Sequence, residues 1–170
     1  MPCSAWADSR RNVLMVSIRK AVKADLETLE TLYNELEQDA VLYQPEHFVL
    51  SPAGSRTRQL EACLDSRTQV LLVAEDDGIV IGFAHVLLQT AKAIPCLKAQ
   101  SNVYLQDLLV TAGCRNRGIG TMLLDAAKQF GRENGASFFR TQVFPMNTDG
   151  MRFYARNGFT QKMITIECPL

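Results

Sequence analysis

The chain has 170 residues, 47% of them hydrophobic and 21% charged, enough for one sizeable core and too little for two typical domains. Eighteen basic side chains balance eighteen acidic ones, which excludes an overall field of the kind that holds a protein on nucleic acid or on an anionic membrane. No apolar run approaches the roughly 20 residues of a membrane span, and Met1 to Arg11 has no apolar segment of signal-peptide length, so a cytoplasmic protein is expected. Cys3, Cys63, Cys96, Cys114 and Cys168 are scattered, with no CxxC pair and no nearby histidine, which predicts reduced thiols and no metal site.

Residues 1–14 are polar and aperiodic and read as a flexible extension, followed by one domain over 15–170. Met15 to Arg19 reads as a first strand. Leu26, Leu29, Leu32, Tyr33 and Leu36 recur at helical spacing, with Asp25 and Glu27 at the end where the helix dipole favours anions. Pro45, Pro52 and Gly54 mark a loop, and Arg56 to Asp65 a short helix. Gln69 to Glu75 and Ile79 to Leu88 are β-rich runs joined by Asp76-Asp77-Gly78, which predicts a hairpin. Val103 to Val110 is a further strand. Gly118 to Glu133 is a helix with Ile119, Met122, Leu123, Ala126, Ala127 and Phe130 on one face and Asn134-Gly135 as its left-handed stop. Phe138 to Val143, Thr148 to Arg156 and Phe159 to Glu167 read as strand, helix and final strand. The succession predicts an α/β sandwich on a mixed sheet.

The informative stretch is Arg115-Asn116-Arg117-Gly118-Ile119-Gly120-Thr121, between a strand and an amphipathic helix. Its glycines admit an oxygen-rich ligand close to the backbone, the helix start offers unpaired N–H groups and partial positive charge, and Arg115 and Arg117 add full charges. The pattern points to an anion cradle. A Walker loop is excluded by the missing Gly-Lys-Ser/Thr, and the dinucleotide fingerprint by its glycine spacing.

This stretch resembles the Arg/Gln-x-x-Gly-x-Gly/Ala hallmark of the GNAT acetyltransferases through Arg115, Gly118 and Gly120. Asn147, Tyr154 and Gly158-Phe159 match a second signature of that family, except that Gly150 stands where alanine is usual. The resemblance covers residues 16–168 in element order, and its specific motifs lie in 104–159. It implies the GNAT fold, a mixed sheet of about six to seven strands with about four helices. It also implies transfer of an acetyl group from acetyl-CoA to a primary amine, with no metal. The backbones of Leu108, Leu109 and Val110 would hold the pantetheine arm, the amides of Arg115, Asn116, Arg117, Gly118, Ile119, Gly120 and Thr121 the pyrophosphate, and Asn147 and Tyr154 the far side. Tyr154 would be the general acid.

An ammonium must lose a proton before attacking a thioester, so a base is needed. The family's usual carboxylate positions fall on Gln106 and Gln142, which cannot take a proton. Asp107 remains, as a base or as an anion that steers a cationic amine, with a structural carboxylate at a bulge as the alternative. His85 reads as a packed histidine more than a catalyst, whereas Tyr33, Glu35, Tyr43, Glu46 and His47 form a group near the expected acceptor end. Singly, each reads as part of a solvated helix face or loop. The acceptor expected is a small molecule such as a polyamine, amino-acid derivative or aminoglycoside. Acetylation of a protein N-terminus or lysine, and a non-catalytic acyl-CoA-binding module, stay open. The resemblance also implies a homodimer, and neither nucleic acid nor membrane is expected as a partner.

Overall fold

The computed structural model describes residues 16–169, so the proposed extension over 1–14 and the predicted start of the first strand at Met15 lie outside the described residues. Five strands form one sheet in chain order: β1 (Ser17–Lys20), β2 (Gln69–Asp76), β3 (Ile79–Ala91), β4 (Gln100–Val110) and β5 (Phe138–Thr141). The first four are antiparallel neighbours, and β5 runs parallel to β4. The helices are α1 (Leu26–Tyr43), α2 (Thr57–Leu64), α3 (Ile119–Glu133) and α4 (Thr148–Arg156). None of them is long and apolar enough to cross a membrane.

Strand alternation sends one set of side chains to each side of the sheet. Val70, Leu72, Ala74, Ala84, Val86, Val103 and Leu105 meet Ile119, Leu123, Leu124 and Ala127 of α3. Leu71, Val73, Phe83 and Leu109 meet Leu26, Leu29, Leu32 and Tyr33 of α1 and Leu60 and Cys63 of α2. The sheet is therefore the middle of three layers. Asp77 and Gly78, both at positive φ, turn the β2–β3 hairpin as the Asp-Gly pair predicts. On α3 the buried stripe takes Leu124 and leaves Met122 39% exposed, a rotation of the expected face.

Two expectations are corrected. The sheet has five strands among the described residues, not six or seven. Residues 159–169 form no strand: Phe159 packs edge-on against Tyr154 and Phe139, then the chain leaves the sheet, with Met163 91% and Ile166 91% exposed. Strand propensity is a weak prior that pairing must complete, and residues 159–169 make no ladder with β5, whose outer edge stays free among the described residues.

Carboxylate pairs fasten the α1 layer. Asp25 receives Arg19 at 2.7 and 2.9 Å, and Arg19 also holds Glu75 of β2. Glu37 accepts from the Ser51 amide (2.7 Å), the Ser51 hydroxyl (2.8 Å) and Arg56 Nε (2.7 Å), tying the α1–α2 loop to the helix. Burial alone would raise the Glu37 carboxyl, but Ser51 and Arg56 outweigh it and hold it below the usual range. A depressed folded value stabilises the fold above the ordinary carboxylate range, and that contribution is lost as pH falls through the folded value. Glu37→Gln is expected to cost about 2 kcal/mol at neutral pH, the scale of hydrogen bonds to a charged group. In urea titrations the gap to wild type should close below about pH 4.

Candidate active site

The site begins with a surplus residue. His85 of β3 pairs with Asp107 of β4, whereas the next residue, Val86, pairs with Leu105, so Gln106 is a bulge. Val103 and Leu105 face α3 before the bulge, and Leu108 and Val110 face it afterwards. The shift brings Asp107 and Leu109 to the α1 and α2 side. There the Tyr33 hydroxyl donates to Asp107 Oδ2 at 3.0 Å, and His85 Nδ1 stands 3.1 Å from the same hydroxyl and 3.5 Å from Oδ2. His85 is 4% and Tyr33 3% exposed. The Asp107 side chain keeps 20% exposure, enough to meet a ligand.

The bulge also marks where two strands part. β5 follows β4 from Asn102 to Leu105, and Thr141 Oγ1 donates to the Leu105 carbonyl at 3.0 Å where the pairing stops. Leu108, Leu109 and Val110 pair with β3 but not with β5, leaving that edge open to an extended ligand. Arg115 Nε already takes the Val110 carbonyl at 2.9 Å. Gly82 of β3 keeps this segment in place, because a Cβ there would sit 2.6 Å from the Leu109 carbonyl oxygen.

Past β4, a 3-10 turn (Ala112–Cys114) leads to the glycine loop, where Asn116 and Gly118 take positive φ and Gly118 caps α3. No side chain caps the start of α3, so its first amides are available to an anion. Gly120 lies under Phe153, whose ring would be 3.3 Å from an added Cβ. The guanidinium groups are engaged elsewhere. Arg115 reaches Glu35 at 3.3 Å and Asp39 at 3.8 Å on α1, and Arg117 reaches Asp76 at 3.2 Å. In this arrangement the loop offers backbone donors first and its arginines brace it.

The second signature opens helix α4. Asn147 Oδ1 accepts from the Gly150 amide at 2.8 Å, capping α4. A Cβ on Gly150 would lie 2.8 Å from the Asn147 side-chain nitrogen, which accounts for glycine where alanine is usual. Tyr154 packs between Phe153 and Phe159. Burial pushes its phenol up, against a hydrogen bond with Thr141, and the charges of Asp107 and Tyr104 raise it further. It keeps its proton near neutrality, as a proton donor requires. Burial and Asp107 likewise raise Tyr33 and Tyr104. The carboxylate therefore lies within the electrostatic reach of three phenols.

The other candidates divide. Gln106 is exposed on the bulge, and Gln142, just past β5, accepts from the Tyr104 hydroxyl at 3.0 Å. Tyr43 and Phe48 pack on Phe144 at 5.7 and 5.5 Å, while His47 contacts Glu167 at 2.9 Å. Glu46 is exposed and Glu35 is taken by Arg115 and the Ala112 amide. Tyr33 is buried on Asp107, contrary to its reading as part of a solvated face, while His85 is packed as expected. Gly82 was missed, as a glycine inside a strand is the only sequence signal for such close backbone approach.

A splayed parallel pair thus leaves an open backbone edge on β4 beside a helix start that no side chain caps. Residues 29–159 match the model of the Acetyltransferase (GNAT) family. The chain belongs to that family and is an N-acetyltransferase of GNAT type. It is 29% identical over 147 residues to the uncharacterized N-acetyltransferase YhfO of Bacillus subtilis, spanning 86% of this chain and 91% of that one. The streptothricin acetyltransferase of Streptomyces lavendulae is 34% identical over 95 residues, 56% of this chain and 45% of that one. The aminoglycoside N-acetyltransferase AAC(6′)-Iy, solved with CoA, shares the fold with a TM-score of 0.74 at 22% identity, over 92% and 95% of the two chains.

Gly82→Ala is expected to force β3 and β4 apart at Leu109 and to destabilise the protein by about 2 kcal/mol or more, on the scale of overpacking. Thermal unfolding measures it, and an unchanged midpoint would mean the sheet absorbs the contact.

Proposed function

We propose that this chain transfers the acetyl group of acetyl-CoA to a primary amine of a small cationic molecule, in the aminoglycoside or polyamine class. The observation that carries the reading is Asp107, delivered by the bulge to the point where β4 and β5 part, beside Tyr33, Tyr104 and Tyr154. The open edge at Leu108, Leu109 and Val110 fits the pantetheine arm, and the amides of Arg115 to Thr121 fit the pyrophosphate. Both suit acetyl-CoA. The substrate class draws support from the names of the streptothricin and aminoglycoside acetyltransferases it resembles, and from the Tyr43, Phe48 and Phe144 rings, which suit a cation.

Asp107 takes a proton from the substrate ammonium and frees the lone pair for attack on the thioester carbonyl. A β4 backbone N–H stabilises the oxyanion that forms, and the Tyr154 phenol protonates the departing sulfur. In a thiol-release assay over polyamines, aminoglycosides, amino acids and peptides, Asp107→Asn should lower kcat about 100-fold. Tyr154→Phe should lower it about 10-fold or more, with the KM for acetyl-CoA changed little in both. CoA binding without turnover of any amine would replace this reading with a non-catalytic acyl-CoA module.

We infer in addition that the chain works as a homodimer. Among the described residues no strand pairs the outer edge of β5, and Ile164 and Ile166 stand exposed two positions apart on the tail that follows. Light scattering should return about twice 18.9 kDa, and substituting both isoleucines with lysine should return the monomer.

A further inference from the structure

We propose that Tyr33 and His85 extend Asp107 into a buried proton relay, in which the proton Asp107 takes from the amine is passed through the Tyr33 hydroxyl to Nδ1 of His85. The inference rests on Asp107 being the base. It goes beyond that reading by giving a positioning role to two residues buried behind Asp107.

The geometry is a chain of hydrogen bonds through the sheet layer. Asp107 Oδ2, the Tyr33 hydroxyl and His85 Nδ1 are linked at 3.0 and 3.1 Å, and His85 Nε2 stands 2.9 Å from Gln69 Oε1 on β2. Cys63 of α2 closes the far end, its thiol 3.3 Å from the same Gln69 oxygen and 3.6 Å from Nε2. Four elements besides β3 thus supply the groups that face the imidazole: Tyr33 from α1, Cys63 from α2, Gln69 from β2 and Asp107 from β4. Arg56 lies 4.7 Å over the Tyr33 ring, paired with Glu37, and the charge of Asp107 is also felt by Tyr104 and Tyr154.

Counting hydrogens shows why such a chain moves a proton. A phenol has one hydrogen, and Tyr33 gives it to Asp107; the Tyr33 oxygen then accepts, so His85 Nδ1 must carry a hydrogen to bond it. Nε2 donates to Gln69 as well, so this pattern is a carboxylate with an imidazolium. When Asp107 is instead protonated, its O–H donates to Tyr33 and the phenol hydrogen turns to a bare Nδ1. The two patterns carry the same total charge, and Tyr33 interconverts them. A cluster without the shared proton is the base: Asp107 takes one from the substrate nitrogen, Tyr33 passes its own to Nδ1, and the carboxylate is restored.

The ammonium loses one proton to the cluster, its lone pair forms the C–N bond, and the C–S bond breaks with its electron pair on sulfur. Sulfur takes a proton from Tyr154, which regains one from the second N–H, and the His85 proton returns to water through Asp107 when product leaves.

The test follows the imidazole directly and the reaction separately, using the full chain. Nitrogen NMR of 15N-histidine protein reads the protonation of His85, distinguished from His47, the other histidine, by His47→Gln. In Asp107→Asn and in Tyr33→Phe the 15N protonation pattern of His85 is expected to differ from wild type, because the chain of hydrogen bonds that links the ring to the carboxylate is broken. Identical titrations in all three proteins would overturn the relay. In the transfer assay, His85→Gln and Tyr33→Phe should each lower kcat about 10-fold, shift the acid limb of kcat/KM against pH and leave the KM for acetyl-CoA unchanged. Adding His85→Gln to Asp107→Asn should cost nothing further, whereas multiplying losses with an unshifted limb would mean a merely structural histidine. If no amine is turned over, a coupled titration keeps the cluster and overturns only the base reading of Asp107, while an uncoupled one overturns both.

Discussion

Gln106 is one residue more than β3 can match, and the geometry of the site follows from that surplus. Side chains on a strand alternate, so an unmatched residue reverses the faces of everything after it. Without the bulge Asp107 would continue the row of Val103 and Leu105 into the apolar layer under α3, where a carboxylate has no partner. With it, Asp107 meets Tyr33 and His85, and Leu108 and Val110 take the apolar places instead. The same stretch of β4 is where β5 stops following, so the displaced carboxylate and the open backbone edge arise together.

The two faces of the sheet divide the labour. The α3 side is apolar and carries the glycine loop at its helix start, a place suited to a phosphate-bearing arm. The α1 and α2 side embeds a polar chain from Asp107 to Gln69 within aliphatic packing. Such a chain is tolerated only because each member has a partner, since an unpaired buried polar group is costly. That requirement explains why Cys63 and Gln69, neither near the reacting atoms, are placed as they are.

Much of this was legible in the residues. The Asp77-Gly78 hairpin, the α3 helix with its Asn134-Gly135 stop and the glycine loop all have local causes, and a local cause leaves a local signature. The bulge has none: Gln106 carries no glycine, so it reads as a glutamine in place of a base when its role is to shift the register. His85 and Asp107 lie 52 and 74 positions from Tyr33, and only the tertiary fold and the strand register bring the three together. The tail over 159–169 is the opposite case, since Ile164 and Ile166 have the composition of a strand that no described residue pairs.

Arg115 gives the helix α1 a double attachment. Its guanidinium holds Glu35 and Asp39 on the flank of the helix, while Tyr33, on the inner side of the same helix, holds Asp107. The glycine loop and Asp107 are thus both tied to one helix, the first through an ion pair and the second through a phenol. Were an anion at the loop to draw Arg115 away from Glu35, the restraint on α1, and so on Tyr33, would change, and by linkage a ligand settling Asp107 would change the hold of Arg115 by the same free energy.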